Sequence, residues 1–83
     1  MSFRKLNYNE ADFDRQIVIV LLNNDGQTEA SIHHPLESAT RVGLEPSEAM
    51  DLALHQRTIT PDHPEIVVID EDCLWPPSLA PLV

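Results

Sequence analysis

Four histidines, one cysteine and a run of three acids are the residues of this 83-residue chain best equipped for chemistry. Asp70-Glu71-Asp72 follows an apolar segment, Ile66-Val67-Val68-Ile69, and holds a D-x-D pair. Carboxylates at the C-terminal end of a strand can hold Mg²⁺. The Gly, Lys and Thr companions of a phosphate-transfer site are missing nearby, and polar residues also simply end strands. His33 and His34 are neighbours, so on a strand they point to opposite faces and do not share an ion. No two histidines have the spacing of a helical metal site, and Cys73 has no second cysteine beside it in the sequence. His63, Cys73 and Asp62 form a composite metal candidate, set against the simpler reading of separate surface side chains. No serine stands in a glycine-flanked elbow. The two glycines, Gly26 and Gly43, fall at turns, which leaves no phosphate-cradling loop. These residues predict no catalytic group and no cofactor. A small metal-assisted enzyme stays as a minor alternative.

The segment from Cys73 to Val83 offers a different chemistry, that of contact. Leu74, Trp75, Leu79, Leu82 and Val83 are apolar, and Pro76, Pro77 and Pro81 stiffen the backbone into an extended form. A preformed segment loses less entropy on docking, and a lone tryptophan suits an anchor. Leu74, Trp75, Leu79 and Leu82 are the candidate partner-binding residues. The competing reading is that this tail folds back over its own domain.

Composition narrows the partner. Fourteen acidic residues against five basic ones give a net charge of −9. Affinity for phosphate comes from clustered Lys and Arg, so direct nucleic-acid binding and anionic membrane surfaces are disfavoured. An acidic chain fits a solvated surface or a basic partner. With one cysteine there is no intramolecular disulfide and no sign of an oxidising compartment. Residues 1–15 lack an apolar core like that of a signal peptide. The longest apolar run, Ile17 to Leu22, is too short to span a bilayer. A cytoplasmic protein is the expectation.

Two segments must form the core that positions all of these groups. Ile17 to Leu22 and Ile66 to Ile69 are apolar at both parities, as in strands buried on both faces. Asn23-Asn24-Asp25-Gly26 is a strong turn signal. Thr28, Ala30 and Ile32 then alternate with polar residues, which completes a β-hairpin. Leu36, Ala39 and Val42 fall at helical spacing and predict a short helix over residues 36–42, with Gly43 at its C′ position. Pro46 at N1 and Glu48 in the first turn predict a second helix that fades near Arg57. Residues 1–14 read as a loosely held arm with Phe3, Leu6, Tyr8 and Phe13 as anchors and a short helical turn after Asn9. The expectation is one α+β domain. A ββααβ core spans residues 15–72, and its three-stranded sheet carries two short helices on one face. Residues 73–83 form an extended tail.

Two short helices cover only one face of such a sheet. The other face then needs the arm, the tail or a second subunit. A non-enzymatic interaction or regulatory protein, forming a homodimer or docking on a protein partner, is therefore the leading expectation.

Two further patterns recur around the second predicted helix. Ala39, Gly43, Leu44, Ala49 and Leu52 superficially resemble the spacing of a helix-turn-helix. The would-be recognition helix, Pro46 to Gln56, has no Lys or Arg to read bases or phosphates, so packing explains the same residues. Glu45, Glu48 and Asp51 recur every three residues. They suggest an acidic, DNA-mimic-like inhibitor of a nucleic-acid-binding protein as the second alternative, although acids at a helix start are expected from the dipole alone.

Overall fold

The structure, a computed structural model, describes residues 2–35 and 40–83. The described residues form strands β1 (Arg4–Lys5), β2 (Ile17–Asn24), β3 (Gln27–His33), β4 (Arg41–Leu44) and β5 (Ile66–Ile69), with helix α1 (Pro46–Ile59) between β4 and β5. The strands make one mixed sheet in the order β1-β5-β2-β3-β4. The architecture is α+β, as expected. The three-stranded sheet and two helices are corrected to five strands and one helix among the described residues.

The doubly apolar segments are the central pair. β2 and β5 run parallel, with Val18 beside Val67 and Val20 beside Ile69. Every residue of β5 and the first five residues of β2 are buried. The hairpin forms where the turn signal stands. Asp25 and Gly26 link β2 to β3 with φ of 52° and 80°. Two successive positive φ values define the type I′ turn that matches strand twist.

The helix expected over residues 36–42 is not what its described part shows. Residues 36–39 lie outside the described set. Arg41 and Val42 belong to β4, and Gly43 is not a helix C′ residue. Arg41 pairs with Ile32 and Leu44 with Ala30, so Val42 and Gly43 together oppose Ser31 in a β-bulge. Gly43 has the positive φ expected of it, 72°, but uses it to make this bulge. The first half of a helix-turn-helix is therefore absent from residues 41–44.

α1 begins at Pro46, as its sequence predicts, and runs on to Ile59. Glu48 Oε1 accepts the Glu45 N–H at 3.3 Å, one arm of a capping box. Ala49 and Ala53 are fully buried, and these small side chains let the helix lie close on the sheet. With the tail residues Leu74, Trp75, Ala80 and Leu82, α1 covers the face bearing Ile17, Ile19, Ile32, Ile66 and Val68.

The opposite face, with Val18, Val20, Val67 and Ile69, is covered by Leu6, Ala11 and Phe13. The N-terminal segment thus supplies the cover that the sequence left open. It is not loosely held: Phe3 is buried, and β1 pairs parallel to β5. The helical turn lies slightly before its expected place, with Ala11 N–H donating to Asn7 O at 3.1 Å. No helix among the described residues is long and apolar enough to cross a membrane.

Candidate functional site

The tail is positioned by one carboxylate. Asp70 ends β5 and is 2% exposed. Its Oδ1 accepts the Leu74 N–H at 2.7 Å, and its Oδ2 accepts the Trp75 N–H at 2.9 Å. Both oxygens are thereby committed to turning the chain, in charge-assisted bonds stronger than neutral ones. The turn closes through Cys73 at φ 55°. Asp72 is exposed. The D-x-D pair is therefore split between a buried turn-former and a surface acid.

Beyond the turn the chain comes back to the sheet. Trp75 Nε1–H donates to Ala80 O at 2.7 Å, which closes the Pro76–Pro77 loop. The indole meets the Phe3 ring edge-on, with centroids 6.0 Å apart. Phe3 N–H then donates to Pro81 O, Val83 N–H to Phe3 O and Lys5 N–H to Val83 O, each at 2.9 Å. Leu82 bridges Phe3 in parallel, so the tail continues the sheet beyond β1.

This folding brings most of the candidate contact residues together. Trp75, Leu79 and Leu82 line one open cleft of about 450 Å³, with the tail prolines around them and Lys5, Asp70 and Cys73 at its side. Leu74 is not among the cleft residues; it packs half-buried against the helix-side core. Lys5 Nζ stands 4.0 Å from Cys73 Sγ. Nothing in the residue order points to this pairing, which depends on β1 and β5 lying side by side.

The other candidates separate. His63 precedes β5 and Cys73 follows it, so the strand holds them apart by its own length, roughly 13 Å for four residues. Asp62, His63 and Cys73 therefore form no common site, and no group of three or more His, Cys, Asp or Glu among the described residues is arranged to hold a metal. His33 lies edge-on to Phe13 at 5.3 Å, with Nδ1 3.3 Å from Thr40 Oγ1. His34 is buried on the helix side, with Nε2 3.0 Å from Thr60 Oγ1. Thr60 spends its only O–H on Gln56 O, at 2.6 Å, so it accepts from His34 and fixes the proton on Nε2. Glu45, Glu48 and Asp51 are all exposed at the start of α1. Compared with known proteins, the chain matches no protein-family model, no curated protein and no solved structure.

Proposed function

We propose that this is a small non-enzymatic interaction protein, that its contact surface is the tail cleft, and that a second copy of the chain occupies it. The carrying observation is the cleft itself. Trp75, Leu79 and Leu82 remain partly exposed around it although the tail backbone is fastened at both ends. A rigid apolar hollow is the kind of place where an anchor side chain is held. Val83, 73% exposed, stands directly after Leu82 and supplies such a side chain. Knob and hollow so close together suit an isologous two-fold contact, in which each copy gives and receives.

Leu79 is the residue to change. Trp75 also closes the tail loop and packs on Phe3, so its removal reports on folding as well as contact. Sedimentation equilibrium of the full chain should show a mass rising from monomer to dimer with concentration. Leu79→Asp should hold the mass at monomer while the thermal midpoint stays within a few degrees. A monomeric mass for the unmodified chain across the whole range overturns the proposal, and so does a dimer that Leu79→Asp leaves intact.

A further inference from the structure

A second cleft opens at the other end of the parallel strands, and its chemistry differs from that of the tail. It measures about 320 Å³ and lies between the last turns of α1 and the starts of β1 and β5. Leu54 and Ile66 give it an apolar wall, and Arg4, Arg57, His63 and Glu65 give it polar groups. Three of those four can carry positive charge, in a chain whose net charge is −9.

The partners of these groups decide what is left for a ligand. Arg4 Nη2 donates to Glu65 Oε1 at 2.7 Å, and Gln16 Nε2 donates to the same oxygen at 2.9 Å. Glu65 and Arg4 therefore neutralise each other. Arg57 has no acidic partner among the described residues. Its own carbonyl would ordinarily accept the amide of residue 61, but that residue is Pro61 and has no N–H. The His63 ring takes the place of the missing donor, with Nδ1 3.0 Å from Arg57 O. A carbonyl only accepts, so the proton sits on Nδ1 and Nε2 is left without a protein partner among the described residues. His63 reaches this position at φ 44°, a conformation that non-glycine residues rarely adopt and that recurs where a ligand is held.

We infer that this cleft binds a small monocarboxylate with a short apolar body. The Arg57 guanidinium takes the carboxylate, and the apolar body lies along Leu54 and Ile66. An Arg fork matches a carboxylate in shape as well as charge. The volume is at the small end of ligand sites, so the body is a few carbons long rather than a lipid chain. This site is independent of the tail cleft and stands whether or not the chain dimerises.

The test is a chemical-shift titration of the full chain with hexanoate, hexanamide and inorganic phosphate. Hexanoate should give saturable shifts confined to the amides around Arg4, Arg57, His63 and Glu65. Hexanamide, which keeps the body and loses the charge, and phosphate, which keeps charge and loses the body, should each bind about tenfold more weakly or worse. Arg57→Gln should weaken hexanoate by a similar factor of about ten. Arg15→Gln makes the same charge change at an exposed position outside the cleft and should leave binding unchanged. The inference is overturned if hexanoate gives no saturable shifts there, if hexanamide or phosphate binds as well, if Arg57→Gln binds like the unmodified chain, or if Arg15→Gln weakens hexanoate as much as Arg57→Gln.

Discussion

Single side chains carry structural tasks here that their types alone do not reveal. Asp70 is a charged group in an apolar place, and it is tolerable because two backbone N–H groups point at it. Removing the carboxylate leaves both donors without an acceptor and frees the turn. Asp70→Ala should therefore destabilise the chain by about 2–5 kcal/mol, on the scale of bonds to a charged acceptor. Urea unfolding of the two chains measures it, and a loss below 1 kcal/mol, the size of one ordinary bond, would show that the turn stands without the carboxylate. The same residue shows why a site is hard to read from sequence. Asp70 and Asp72 look equivalent as letters, and burial alone makes one a turn-former and the other a surface acid.

Elements differ in how far their residues announce them. β2, β3 and β5 are legible because apolar parity and the Asp25-Gly26 turn agree with the final fold. Gly26 makes a measurable prediction at this scale. A Cβ there would meet nothing within 4 Å, yet φ is 80°, so Gly26→Ala should cost about 1 kcal/mol from the backbone alone. Thermal melts of the two chains give the difference, and an unchanged midpoint would mean that the hairpin tolerates a side chain at that φ. β1 and β4 were illegible for physical reasons. Arg4–Lys5 is two charged residues, with no period to detect, and it is a strand only because β5 and the tail offer it partners on both sides. Leu36, Ala39 and Val42 have helical spacing, but three positions over two turns are weak evidence. Ala30 and Ile32 of β3 instead gave residues 41–44 an edge to pair with. The tail's apolar residues could be picked out because they fall in one short segment, between Leu74 and Val83. The Arg57 cleft could not, since its side chains come from β1, α1 and the approach to β5.

At the scale of the molecule, one sheet is sandwiched between two unlike layers. α1 and the tail lie on one side, and the looped segment carrying Leu6, Ala11 and Phe13 lies on the other. The Cα radius of gyration is 11.7 Å, close to the roughly 12 Å expected of a compact domain this long. So little is spare in such a domain that the tail belongs to its stability. Ending the chain after Asp72 removes Trp75 from Phe3 and strips β1 of its outer partner. That truncation should cost several kcal/mol out of a total of roughly 4–12 kcal/mol. A truncated chain that unfolds at the same denaturant concentration would show that the sheet closes without the tail's pairing to β1. Because truncation strikes at folding, the Leu79→Asp variant is the cleaner probe of contact. The pairing of Phe3 with Leu82 has one more consequence, in mechanics. The two segments run parallel, so tension drawn from residue 2 and residue 83 slides them past each other. The three main-chain bonds between them are then loaded together instead of peeling open one at a time. The domain should yield to pulling along that line less readily than to pulling across it.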